Sequence, residues 1–267
     1  MRHFAAMNSF YFKKNAEEIA QWAYENGFSG VEIWADVPLC YVDDKDIDTI
    51  IDKLVSLNEK IAYTVHSPIY GINISSVNPG ILKESIRQIK KAMTWAGRIH
   101  IEKFIVHTGR VPARRQYVMQ KVRTIIRESM EDIKKEADKN RIDLIIENTG
   151  VDRLSYDYDI EEMIDIAREF GTGICLDTGH ANISGMGAVL AEEVIEKTEE
   201  LHLHDNFGEK DEHLPVGDGN IDWSLYRPLM LKQDMITVHE VRLGNNTENE
   251  IIRSRKRAEE IAADCFT

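Results

Sequence analysis

The feature that most limits what this chain can fold into is its regular alternation of short apolar runs with longer amphipathic ones. Candidate strands lie near 2–7, 30–34, 61–66, 103–107, 142–147, 173–177, 199–204 and 235–240. Helical patterns fall between them, at about 15–26, 44–59, 79–98, 113–139, 159–170, 187–197, 223–231 and 247–264. Ile47, Ile50, Ile51, Leu54 and Leu57 show the three-and-four spacing of one buried helix face. Asn78-Pro79 reads as an N-cap followed by proline in the first turn, and Gly27 and Gly171 stand where helices should stop. Eight strand-then-helix units without a linker predict one domain over residues 1–267, a parallel sheet covered by helices. A closed (β/α)8 barrel and an open doubly wound sheet both satisfy this pattern.

The residues at the strand ends separate the two. Val65 leads into His66, Val106 into His107, Ile146 into Glu147, Leu176 into Asp177 and His239 into Glu240, while strand seven offers His202 and His204. One such residue reads as a cap or a solvated loop. Six strands ending in a carboxylate or an imidazole do not. A barrel gathers these ends into one ring, where active sites of that fold are built. An open sheet would spread them along an edge. The expected fold is therefore an α/β (β/α)8 TIM barrel.

Crowded carboxylates repel one another, and a bound dication relieves that repulsion. Cys40, Cys175 and Cys265 are far apart and form no paired motif, so the donors are nitrogen and oxygen. Such a set suits Zn, Mn, Co or Fe(II) better than Mg. The formal charge of −13 counts against broad nucleic-acid binding, which draws on phosphate neutralisation. Arg110, Arg114 and Arg115 form the main basic cluster, and Arg253 to Arg257 reads as a solvated helix face. No apolar run approaches the ~20 residues of a membrane span. The first residues are too short an apolar stretch for a secretory signal, so a cytoplasmic location is expected.

Further candidate donors follow strands six and seven. His180 stands one turn past Asp177; Asp211 and His213 alternate, so an extended loop would point them the same way. His202 and His204 share strand parity and should both face the barrel interior, whereas His239 should face the helices. Glu32 either contacts substrate or anchors a barrel layer, Asp222 reads as a helix cap, and His3 and His100 carry no partner signal.

Taken together, Val65-His66-Ser67-Pro68, Val106-His107-Thr108-Gly109, Ile146-Glu147-Asn148-Thr149, Leu176-Asp177-Thr178-Gly179-His180 and the run from His202 to Trp223 resemble the xylose-isomerase-like TIM-barrel superfamily. That superfamily includes sugar and sugar-phosphate isomerases and epimerases, and the endonuclease IV family. The resemblance covers essentially the whole chain and implies a metal held by Glu147, Asp177, His202 and Glu240. His202 is preferred to His204 because the family's ligand stands three residues before an acid, here Asp205. An endonuclease IV site implies three metals and five more donors, matched by His66, His107, His180, Asp211 and His213. Other positions depart from the endonuclease. Phe4-Ala5-Ala6-Met7-Asn8 replaces its Gly-x-His-x-Ser, and His204-Asp205-Asn206-Phe207 replaces Asn-Asp-Ser/Ala-Lys. The loop from His202 to Asp211 is shorter, and no arginine follows strand two to enter DNA.

The resemblance implies sugar or sugar-phosphate isomerisation or epimerisation through an enediolate. Glu147 and Glu240 would be the acid/base pair, and His204, Arg242, Arg110 and Trp34 would meet the substrate. The alternative is zinc-dependent phosphodiester hydrolysis at abasic DNA, with nucleic acid as a partner only in that case. A metal-binding barrel without catalysis is disfavoured, since paired glutamates beside a metal are costly unless used. One to three Zn, Mn or Co ions, a small-molecule sugar partner and no membrane contact are expected, with a homo-oligomer left open.

Overall fold

Eight parallel strands close on themselves in chain order: β1 (Arg2–Ala6), β2 (Gly30–Trp34), β3 (Ala62–His66), β4 (Phe104–His107), β5 (Leu144–Glu147), β6 (Gly173–Asp177), β7 (Thr198–Leu203) and β8 (Ile236–His239). This is a computed structural model, and it describes residues 1–10, 13–36, 44–185, 192–242 and 247–263. Around the strands run α1 (Ala16–Glu25), α2 (Asp44–Leu57), α3 (Pro79–Ala96), α4 (Gln116–Asn140), α5 (Ile160–Phe170), α6 (Thr178–Ser184), α7 (Glu192–Lys197), α8 (Arg227–Met230) and α9 (Thr247–Ala263). The closed ring excludes the open sheet, and the expected (β/α)8 TIM barrel is what forms. Among the described residues no helix is long and apolar enough to cross a membrane.

Local chemistry sets the boundaries. Asn15 and Glu18 close a capping box on α1, and the Asn78 side chain accepts from the Gly80 and Ile81 amides ahead of α3. Gly171 ends α5 in the left-handed conformation, with φ +61°. The helix predicted over 187–197 begins outside the described residues, as do Cys40 and Cys265. The one predicted over 223–231 divides into a 3-10 turn, Trp223–Leu225, and α8, where Pro228 sits in the first turn at no hydrogen-bond cost. Asp222 caps that turn through the Ser224 amide, as its position suggests. The short α6 has no counterpart among the predicted helices. Seven residues carry too little periodicity to read, and its start is fixed by Asp177, whose carboxylate accepts from the His180 amide at 2.7 Å.

Alternation divides the side chains. Leu201, Leu203, Val106 and Ile146 pack outward under the helices in the main core, while Ile105, Ile145 and Cys175 form a separate cluster inside the ring. Parallel register then sets Trp34 beside His66, His107 beside Glu147, and Asp177 beside His202 at the upper rim. Polar residues thus gather at the C-terminal ends of the strands because that layer is the last before the loops.

His239 faces the helices, as its parity requires, with Nδ1 3.1 Å from the Ser254 hydroxyl on α9. His3, without a partner signal in the sequence, lies with Nδ1 3.0 Å from His239 Nε2. Burial and then the nearby Arg255 guanidinium push His3 down to about 4, and burial and His3 hold His239 well below the usual imidazole range. A depressed histidine is protonated in the unfolded chain before the folded one, so its contribution is complete above the unfolded value near 6.5 and is lost as pH falls toward 4. Stability to urea is therefore expected to fall between these limits. His3→Asn should flatten that loss, and an identical pH profile in the variant would exclude the pair as its source.

Candidate metal centre

The upper rim is built from imidazoles that already have one nitrogen committed. His66 donates Nδ1–H to the Ser67 carbonyl at 2.9 Å, His180 to the Asn148 carbonyl at 2.8 Å, and His213 to the Glu240 carbonyl at 2.8 Å. A carbonyl only accepts, so each of these rings carries a proton on Nδ1 and turns Nε2 toward a carboxylate. His66 Nε2 and His107 Nε2 each lie 2.9 Å from Glu147 Oε2. His213 Nε2 is 2.9 Å from Asp211 Oδ2, and His180 Nε2 is 3.7 Å from the same oxygen. Metal-binding histidines are commonly fixed in this way, by a hydrogen bond at the nitrogen that does not bind.

His202 stands at the centre. Its Nδ1 lies 3.3 Å from Glu240 Oε1, 3.6 Å from Glu147 Oε1 and 3.9 Å from Asp177 Oδ2. Among the described residues this nitrogen has no hydrogen-bond partner, although the ring is fully buried. Three carboxylates and one bare nitrogen around a common point fit a divalent cation in chemistry and in number. Glu147, Asp177, His202 and Glu240 would hold it. His66, His107 and Glu147 form a second compact donor group, and His204, Asp211 and His213 a third.

The electrostatics follow from this crowding. Burial opposes charge on Glu147, but His107 and His202 outweigh it and hold its carboxyl well below the usual range. Asp177 is likewise drawn down to about 2, where His180 and His204 overcome burial. Burial disfavours a proton on His66, yet Glu147 pushes it up to about 9. The cluster holds its acids as anions and needs positive charge among them, which protons or a dication can supply.

The structure brings the nine expected donors to one mouth, though not all by the expected route. Asp211 and His213 meet because His213 is left-handed, with φ +52°, and not because the loop is extended. His204, expected to face substrate, is closed to solvent. Its Nε2 lies 3.0 Å from Asp177 Oδ1, its ring stacks on His213 at 3.9 Å, and it fills the space over Gly179. A Cβ at Gly179 would stand 1.9 Å from the His204 ring, so only glycine fits there. Arg242 approaches Glu240 Oε2 at 3.7 Å. Arg110 is exposed and paired with Asp152, and Trp34 is buried with its ring against Tyr70. Beside the donors, a cavity of about 250 Å³ is lined by Ser67, Ile69, Ile72, His107, Arg110 and His180.

Several supporting residues escape sequence reasoning. Asn8 donates to Glu240 Oε2 at 3.2 Å, and Asn148 ties β5 to β6 by accepting from the Asp177 amide at 2.6 Å. Asp205 accepts from the Asn206, Gly217 and Ile221 amides and from the Trp223 indole, so one buried carboxylate shapes the loop that carries Asp211 and His213. Buried Asp157 holds the Thr149 amide and hydroxyl after β5.

A parallel eight-stranded barrel with this mouth defines a class, and the sequence agrees with it. Residues 20–261 match the family described as Xylose isomerase-like TIM barrel, and the chain belongs to that family. An uncharacterized protein of Methanocaldococcus jannaschii is 28% identical over 185 residues, a match covering 65% of this chain and 62% of that protein. A D-tagatose 3-epimerase-like protein superposes with a TM-score of 0.83 at 23% identity, covering 98% of this chain and 97% of that one. Endonuclease IV from Thermus thermophilus superposes with 0.71 at 18% identity, covering 97% and 100%. At these identities the two likenesses speak for the fold.

Proposed function

We propose that the chain is a divalent-cation-dependent isomerase or epimerase of a sugar or sugar phosphate, working by proton transfer at the carbon beside a carbonyl. One observation carries the reading: Glu147 on β5 and Glu240 just past β8 approach the same bare nitrogen, His202 Nδ1, at 3.6 and 3.3 Å. Zn, Mn or Co suits the mixed nitrogen and oxygen donors. A cation held there would polarise a carbonyl and a neighbouring hydroxyl, acidifying the C–H between them and stabilising the enediolate.

Glu147 and Glu240 are anchored on strands that are not neighbours, so each reaches a substrate from its own side. One takes the proton and the other returns one, to the adjacent carbon in an isomerisation or to the opposite face in an epimerisation. Asn8 holds the Glu240 carboxylate, and His66 and His107 hold that of Glu147. Arg242 and Arg110 are cations near the mouth that can meet a phosphate or carboxylate of the substrate. The D-tagatose 3-epimerase-like neighbour supports this reading.

A second reading, phosphodiester hydrolysis at abasic DNA, is favoured by the outer donors His66, His107, His180, Asp211 and His213, which also gather at the mouth. Against it stands the formal charge of −13. Metal analysis decides between them. The purified protein is expected to hold about one ion per chain and to leave an abasic-site duplex uncut, whereas about three zinc ions together with incision would establish the hydrolase.

A further inference from the structure

His202 is held unlike His66, His180 and His213, the imidazoles of the mouth that lean on the main chain. Its Nε2 lies 3.3 Å from Glu32 Oε2 and 3.3 Å from Glu200 Oε1. Glu200 stands beside Cys175 in the register of β6 and β7, one pleat below the pairing of Asp177 with His202. Glu32 comes from β2, on the far side of the ring, where the Thr64 hydroxyl donates to it at 3.3 Å. Both carboxyl groups are closed to solvent, where burial pushes Glu200 up to about 8 against the pull of His202, and Glu200 Oε2 has no hydrogen-bond partner among the described residues. Two buried acids committed to one N–H are more than packing requires, because an apolar pair would fill the layer without the desolvation cost.

We infer that Glu32 and Glu200 are positioning residues that keep the proton of His202 on Nε2 and so present Nδ1, bare and more basic, to the cation. The inference rests on the reading of His202 as a cation ligand. A carboxylate acceptor makes an imidazole a stronger donor at its other nitrogen than a carbonyl does, and removing such a partner commonly weakens metal binding about 10–100-fold. Glu32 on β2 and Glu200 on β7 also grip the ring from two sides, which fixes its plane.

The test uses zinc chloride as the probe and calorimetric titration of the whole chain. Glu32→Leu/Glu200→Leu removes both acceptors at similar volume, and replacing buried charge by packed apolar groups is often neutral or stabilising. Zinc affinity is expected to fall about 10–100-fold while the melting temperature of the cation-free protein holds or rises. Glu32→Gln/Glu200→Gln should recover part of the affinity, because an amide carbonyl still accepts the N–H. A structural role alone would give the reverse, a lower melting temperature at unchanged affinity, and that result overturns the inference. Should the leucine pair fail to fold, Glu200→Leu alone decides by the same two measurements, and wild-type affinity there overturns it equally. A wild-type chain that binds no zinc removes both this inference and the reading beneath it, whereas binding that is indifferent to these substitutions removes this one alone.

Discussion

Replacing Glu240 by glutamine is expected to slow exchange of solvent deuterium into the carbon beside a sugar carbonyl by about 10²–10⁴-fold, the usual contribution of a positioned base. The substitution conserves volume, and the amide oxygen can still accept from Asn8, which lies 3.2 Å from the carboxylate. What is lost is the anion near His202 and the ability to carry a proton. Nuclear magnetic resonance in deuterium oxide, run over a panel of ketoses and ketose phosphates, gives the measurement. The same panel with Glu147→Gln should show loss of a comparable size if the two glutamates share the transfer. Exchange that persists in the Glu240 variant would sink its role as base while leaving Glu147 to be tried alone.

The second large effect is on stability. Glu147, Asp177 and Glu240 crowd around His202 within 3.9 Å of its Nδ1, so a dication there offsets repulsion that the fold otherwise bears. A ligand that binds only the folded state at a free concentration one hundred times its dissociation constant adds about 2.7 kcal/mol. For a chain of this size that corresponds to roughly 5–11 °C in melting temperature. Zinc or manganese is expected to produce a rise of this order, a chelator to reverse it, and His202→Ala to remove most of it. A melting curve indifferent to both added ion and chelator would mean that protons alone balance these acids.

The upper rim is legible because β4, β5 and β6 carry no polar side chain before their last residue. The step from Val106 to His107, or from Leu176 to Asp177, is visible without any knowledge of what lies opposite. Deeper groups are hidden for a physical reason. Glu200 follows Glu199, and two adjacent acids in sequence look like a solvated surface, yet one turns inward to His202 while the other pairs with Lys103 outside. Glu32 reads either way until His202, 170 positions away, is seen against it. Asp157 and Asp205 organise loops through main-chain amides, and amides leave no trace in residue identity. Asp211 and His213 do meet as expected, but through a left-handed backbone at His213 and not an extended loop, and positive φ at a non-glycine residue is too uncommon to read from sequence. His204 shows the limit of parity, which puts it correctly inside but says nothing of the ring stacked above it.

The closure of β1 on β8 bears on how the chain is made. Asn8 reaches Glu240 and His3 reaches His239, contacts that span 232 and 236 positions. A growing polypeptide therefore exposes Glu147, Asp177 and His202 well before the partner that completes them emerges. Until the last strand docks, the nascent acids have no full cage and the first strand has an unfilled edge. Were a cation to be held at the mouth, its capture in the final geometry would wait on the last strand, so a ribosome-bound chain halted short of Glu240 would be expected to bind zinc more weakly than one in which Glu240 has docked.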